Sequence, residues 1–220
     1  PRGGPSGSPL FFIRNRDPTM IQADSELDAI NTMMWAIGEA PVNSIENSGL
    51  RLVASARALL TEVSASVQEQ GWHFNTIPKR RLLPDVNKRI VVGDGVVVFI
   101  PTGISSHMDL TLQGTELYDL GNDTPLFDGP AEGEVILVLP WDRLPRPAKT
   151  YITVRAARRF QDQEVGSETL NQFNVVDENS AYHALLRLDA RQAGHVVGGI
   201  GRYGGPVVPP GFPTRRRRYG

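Results

Sequence analysis

The chain has no cysteine in 220 residues, so disulfide scaffolds and thiolate chemistry are both excluded. That fits a protein made in a reducing cytosol. No apolar run approaches the roughly 18 residues that a membrane-spanning helix needs. The histidines His73, His107, His183 and His195 never fall at metal-ligand spacing, and no serine sits in a GxSxG nucleophile context. No cofactor or metal is therefore expected. Hydrophobic residues at 40% and charged residues at 21% are ordinary for a folded protein. The length is enough for one good core and a small added subdomain.

The formal net charge of −1 conceals an uneven spread. Residues 1–19 carry +2 and residues 195–220 carry +5, which leaves −8 on residues 20–194. An acidic body with a basic tail lacks the basic face of a fold that grips duplex DNA.

The longest regular stretch is 47–75, NSGLRLVASARALLTEVSASVQEQGWHFN. Val53, Ala56, Leu60, Val63 and Val67 are spaced 3, 4, 3, 4, one face of a helix. Arg51, Arg57, Glu62, Gln68 and Glu69 fall mostly off that face. Asn47 or Ser48 can cap its start, and Gly71 can end it in a left-handed turn. Trp72, Phe74 and Asn75 follow as a candidate structural anchor, because two large rings there need burial.

An earlier helix is expected from Asp24 or Ser25, with Asp28 near its positive end. Its stripe reads Leu27, Ile30, Met34 and Ile37, with Gly38 and Pro41 as stops. Met33, Met34 and Trp35 read as core filling. The short loop Glu39–Glu46 makes the two helices antiparallel neighbours.

From Ile77 to Leu139 the texture turns to Pro, Gly and β-branched residues. Ile90–Val92 and Val96–Ile100 flank Gly93-Asp94-Gly95 as a hairpin signal. Leu110–Leu112 and Glu116–Leu120 flank Gln113-Gly114. Gly121-Asn122-Asp123 is another turn, and Val135–Leu139 a last buried strand.

Helical texture returns at Pro145 and Pro147. Ala148, Ile152, Ala156 and Phe160 form a stripe. Arg155, Arg158 and Arg159 share another face, where they neutralise the helix's carbonyl end or meet an acidic neighbour across an interface. Gly166 ends this helix and Ser167 can cap the next. That one has a core face of Leu170, Phe173, Val176, Ala181, Ala184 and Leu188 and ends at Gly194.

The expected class is α+β: an antiparallel bundle of about four helices with an inserted small antiparallel β-domain and an extended C-terminal arm. The helical part covers 20–76 and 140–194, and the β insertion 77–139. Residues 1–19 read as a flexible extension or expression remnant, with Met20 as a natural start. Residues 195–220 read as a Gly/Pro/Arg arm that is unstructured alone and orders on a partner.

Three constellations invite chemistry. Gly199-Ile200-Gly201-Arg202-Tyr203-Gly204 matches GxGxxG, but Gly205, Pro206, Pro209 and Pro210 forbid the helix that a dinucleotide site needs. Asp119, Asp123, Asp128, Glu132 and Glu134 cluster in the β region. They read as a solvated acidic loop, or as the acid and base of a glycan-degrading hydrolase built on Asp119, Asp123 or Glu132. Arg215, Arg216, Arg217 and Arg218, with Tyr219, read as a solvated run, a grip for an acidic partner, or a nonspecific nucleic-acid binder.

Several strings occur in a telling order: Ala36-Ile37-Gly38-Glu39-Ala40-Pro41-Val42, then Gln70-Gly71-Trp72-His73-Phe74-Asn75, then Leu82-Leu83-Pro84-Asp85. Gly114 with Leu117-Tyr118-Asp119 follows, and last Ala156-Ala157-Arg158-Arg159-Phe160. Over about residues 21–190 the series resembles the tail tubular protein A (adaptor, or gatekeeper) family of short-tailed phages of the Autographiviridae type. Gly-Trp-x-Phe-Asn after an amphipathic helix is its most specific part. The ends, 1–19 and the Arg-ending arm, depart from the family.

The resemblance implies a non-enzymatic virion protein of the tail, assembled in the host cytoplasm as a homo-oligomeric ring of typically about twelve copies. Its implied partners are the portal protein, the tail nozzle protein (tail tubular protein B), tail fibres, and genomic DNA passing through the channel during ejection.

Overall fold

The computed structural model describes residues 23–46, 51–166 and 168–193, and of 168–174 the backbone alone. The expectations for 1–19, for the 195–220 arm with Arg215–Arg218 and Tyr219, and for the caps at Asn47, Ser48 and Ser167 lie outside the described residues. So do the GxGxxG string, His195 and the side chains of Leu170 and Phe173.

The first helix, α1 (Glu26–Ala36), starts on a capping box. The Ser25 hydroxyl accepts from Asp28 N at 3.1 Å, and the Asp28 carboxylate accepts from Ser25 N at 3.2 Å. Ala29, Ile30, Met33 and Met34 are its buried residues. Ala29 and Met33 thus replace Leu27 and Ile37, which are half-buried. Trp35 corrects the reading of core filling: it stands 55% exposed on the outer side.

Helix α2 (Arg51–Gln68) buries Val53, Ala56, Leu60, Val63 and Val67 as the spacing predicts, together with Leu59 and Gln68. Gln68 was expected off the face, yet it is fully buried. A buried side-chain amide is tolerable only when its polar atoms are paired, and they are, as shown below. Gly71 takes φ +74, the left-handed turn expected of it.

Helix α3 (Arg146–Glu164) begins at Pro145, carries Pro147 in its first turn, and ends before Gly166 at φ +65. Ala148, Ile152, Ala156 and Phe160 are all fully buried. Helix α4 (Glu168–Ala193) buries Ala181 and Leu185, with Leu186 and Leu188 half-buried against the core. Val176 corrects the expected core face: it is 67% exposed, in a stretch of α4 where most side chains face outward.

The strands are β1 (Thr76–Leu82), β2 (Val96–Pro101), β3 (Leu110–Gln113), β4 (Glu116–Asp119) and β5 (Ala131–Leu137). They form an antiparallel sheet in the order β1-β5-β2 and a separate hairpin, β3-β4. The β3-β4 hairpin turns at Gly114, φ +65, as expected.

The other expected hairpin is not formed. Val96–Pro101 pairs with β5, and 90–92 runs instead beside β4, with Leu117 N donating to Ile90 O and Val92 N to Thr115 O. The reason is burial: Ile90, Val92 and Leu117 share one core, so pairing with β4 buries both chains. The last strand begins at Ala131 rather than Val135, because β1 and β2 flank its whole length.

Two hydrophobic clusters result. One gathers α1, α2, α3 and α4 around Met33, Leu60, Ile152 and Phe160, with Trp72 at its end. The other gathers Ile90, Phe99, Leu117, Phe127 and Val135. The architecture is α+β.

Candidate functional site: the helix–sheet junction and the outer faces

The turn after α2 is where the helices meet the sheet, and its bonds are unusually dense. The Trp72 indole is 5% exposed, and its Nε1 donates to Val67 O at 2.6 Å. Its ring meets Tyr182 of α4 edge-on, with centroids 6.2 Å apart. The Asn75 side chain accepts from Trp72 N at 2.9 Å and donates to Gln68 O at 2.8 Å and Leu137 O at 2.7 Å. His73 N donates to Asp189 Oδ1 at 2.7 Å, which brings in the far end of α4. Phe74 is half-buried against the helical cluster. The Gly-Trp-x-Phe-Asn string therefore joins α2, the sheet and α4 at one point. Glycine is favoured at 71 by its left-handed conformation, φ +74; a Cβ there would also press on the end of the Ile136 side chain, 2.8 Å away at Cδ1.

Gln68 completes the junction, and sequence reasoning missed it. A signal existed: it lies eight residues after Leu60, on the flank of the apolar stripe and just before the terminating glycine.

The acidic residues of the β region are engaged in local bonds and ion pairs. Asp119 is buried, and its carboxylate accepts from Asn122 Nδ2 at 2.8 Å and Asn122 N at 3.1 Å. The Asn122 side-chain bond, opposed by burial, holds Asp119 below the usual carboxylate range. Asp123 accepts from the Tyr118 hydroxyl at 2.7 Å, which pushes that phenol upward. Asp128 pairs with Lys88 at 2.7 Å, lowering the acid and raising the lysine through their mutual bond. Glu132 is buried against Gly103 and paired with Lys79 at 3.3 Å. Among the described residues, no three His, Asp or Glu gather as metal ligands.

The arginines of α3 meet acids within their own chain. Arg155 and Arg158 both reach Glu178 of α4, and Arg159 reaches Glu62 of α2 at 2.8 Å. They brace the bundle, and α3 has no basic residue in its last turn, so they do not neutralise its carbonyl end as expected. Burial of the nearby Tyr182 hydroxyl pushes it above the ordinary phenol range.

Several large apolar side chains remain outside both cores. Leu83, Val86, Ile104, Leu126 and Val176 are each more than half exposed, as is Trp35. No helix among the described residues is long and apolar enough to cross a membrane.

Comparison with known proteins places this architecture. Residues 27–195 match the family model described as Tube, tail tubular protein. The chain is similar to the protein named tail tubular protein A of Klebsiella phage KP34, with 26% identity over 161 residues, 73% of this chain and 84% of that protein. With a family match that runs from the first turn of α1 to the end of α4 and includes the junction, this chain belongs to the tail tubular protein family and is a structural component of a phage tail.

Proposed function

We propose that this tail component is a ring-forming head-to-tail adaptor. About twelve copies close around an axis between the portal protein and the tail nozzle protein, tail tubular protein B. Tail fibres attach near that junction, and genomic DNA passes through the central channel. The ring assembles in the host cytoplasm. It works by fitting surfaces together and holds no catalytic centre.

The observation that carries this reading is the apolar surface left outside two filled cores. Side chains such as Val86 at 99% and Val176 at 67% exposure are poorly placed on a solitary globule and well placed on an assembling one. They lie on α4 and in the loops of the β region, so more than one face is equipped for contact. The charge balance agrees. With −8 on residues 20–194, the body does not bind phosphate tightly, and DNA can slide past it during ejection.

In this reading the helical part, 20–76 and 140–194, supplies the side surfaces of the ring. The insertion, 77–139, projects toward nozzle or fibres. Trp72, Phe74 and Asn75 hold the two parts in a fixed relation. Arg215–Arg218 and Tyr219 reach an acidic neighbour, at an ordering cost that the new contacts offset.

Native mass measurement and negative-stain microscopy of the full chain, alone and co-expressed with its portal protein, test the reading. Twelve copies of 24.1 kDa give a ring of about 290 kDa. A chain that stays monomeric in both preparations overturns it.

A further inference from the structure

Helix α3 sits between two flanks of the bundle. Tyr151, Arg155 and Arg158 turn toward α4, where they meet Tyr182 and Glu178. Lys149 turns the other way and donates to Asp24 O, just ahead of α1, at 3.0 Å. Lys149 and Tyr151 are two residues apart, about 200° around a helix of 3.6 residues per turn. The packing of α4 is correspondingly with α3 and with the turn at His73–Asn75, while α1 and α2 pack on α3 and on each other. The outer face of α4 and the outer face of α1–α2 therefore look in different directions from the same subunit.

Each face has a site of unpaired charge, the two sites being opposite in sign, and both faces carry apolar surface. On α4, Arg187 and Arg191 are exposed one turn apart and have no acidic partner among the described residues. Val176 lies further along the same helix at 67% exposure. On the other flank, Glu39 and Glu46 are exposed in the segment that follows α1, and neither has a basic partner among the described residues. Beside that loop runs a shallow groove whose lining includes Ile45, Glu46, Val53, Ala54, Arg57 and Ala58; Arg57 is held by Glu26 at 3.2 Å, and the short side chains of Ala54 and Ala58 admit close approach of another helix.

We propose that the outer face of α4 in one copy packs on the α1–α2 face of the next copy. Arg187 and Arg191 then meet Glu39 and Glu46, and Val176 lies along the groove. The contact is heterologous: each subunit offers two different faces, and repetition closes a ring rather than a two-fold dimer. The charges set register and exclude the reversed pairing. The inference rests on the ring reading and assigns its side-to-side contact.

The test uses two full-length variants, each examined with co-expressed portal protein. One is Arg187→Glu with Arg191→Glu; the other is Glu39→Lys with Glu46→Lys. In each variant alone, both faces carry the same sign, and the ring peak is expected to be lost. Mixed one to one, each variant's α4 meets the other's loop with opposite sign, and rings are expected to return. Rescue on mixing also shows that both variants fold.

A second measurement is independent of charge. The chain has no cysteine, so Val176→Cys combined with Ala58→Cys places only two thiols per subunit. A flexible bismaleimide is expected to link neighbours into a ladder that ends at the closed ring. Wild-type rings with variants that also form rings alone, a mixture that stays monomeric, or the absence of a ladder overturns this contact and leaves the ring reading standing. Absence of wild-type rings overturns the ring reading itself.

Discussion

Gln68 and Leu139 bond to each other twice: Gln68 Nε2 donates to Leu139 O at 3.1 Å, and Leu139 N donates to Gln68 Oε1 at 2.7 Å. A side-chain amide here does the work of a neighbouring strand, satisfying the backbone where the chain leaves β5. Its Nε2 also donates to Ser64 Oγ at 3.1 Å, so the amide is well satisfied although no part of it meets water.

Removal of that amide leaves a partly buried N–H and C=O of Leu139 without partners. Gln68→Ala adds a cavity to the unmade bonds, and a loss of about 2–4 kcal/mol follows. Gln68→Glu fills the space but cannot donate to Leu139 O, so it too is destabilised. Urea denaturation of both variants checks this. If Gln68→Ala unfolds at the wild-type midpoint, the double bond contributes nothing to stability.

Gly133 offers a test of the sheet. It sits in β5 with Phe99 folded over it, and a Cβ there would lie 2.3 Å from Phe99 Cζ and 2.7 Å from Ile100 O. The ring can swing aside, but the carbonyl belongs to the paired strand. Gly133→Ala is expected to cost about 1–3 kcal/mol by overpacking, and Gly133→Ala with Phe99→Leu to recover only part of it. Thermal unfolding of the pair distinguishes backbone crowding from ring crowding: full recovery in the double variant would place all the strain on the ring.

These two cases show what the chain's pattern could and could not disclose. The stripes of α2 and α3 are legible because a helix faces a large core with a period of 3.6, and local spacing is enough. The partner of β2 is not legible. Gly93-Asp94-Gly95 offers a local turn, but the pairing is decided by which strands bury Phe99 and Val135 together, a contact distant in sequence. Val176 misleads because periodicity marks an apolar face without saying whether the subunit or its neighbour covers it. Gln68 is hidden because polarity alone suggests solvent, and only the position of Leu139 makes its burial favourable. Trp72 could be picked out because a tryptophan after a terminating glycine needs burial, whereas Asn75 comes only with the Gly-Trp-x-Phe-Asn string.

Asp119 links the β3-β4 hairpin to pH. Its folded pKa is depressed, chiefly by the Asn122 side chain. Its contribution to stability is therefore fully present above the ordinary carboxylate value and is lost as pH falls through the depressed one. Melting temperature should fall as pH drops from about 5 to about 3, and Asp119→Asn should flatten that slope while lowering stability at neutral pH by about 1 kcal/mol. A slope identical in the two proteins would show that other acids carry the acid sensitivity. Asp128 is a poorer choice for the same experiment, because its pair with Lys88 lies largely open to solvent.

Trp35 separates folding from assembly. At 55% exposure it contributes little to the core, although it follows directly on the buried Met33 and Met34. Large aromatic rings left on a surface are favoured as contact anchors, because they bury much area with few rotatable bonds. Trp35→Ser is therefore expected to leave the unfolding midpoint within about 0.5 kcal/mol of wild type. The same change should shift the ring-to-monomer balance toward monomer by roughly tenfold or more, the effect of losing a contact of about 1.4 kcal/mol or above. Mass photometry across a dilution series reads the balance, and a thermal melt reads the fold. A variant that melts early and fails to assemble would assign Trp35 to the core after all. One that melts normally and assembles normally would place it on a face that touches nothing in the ring.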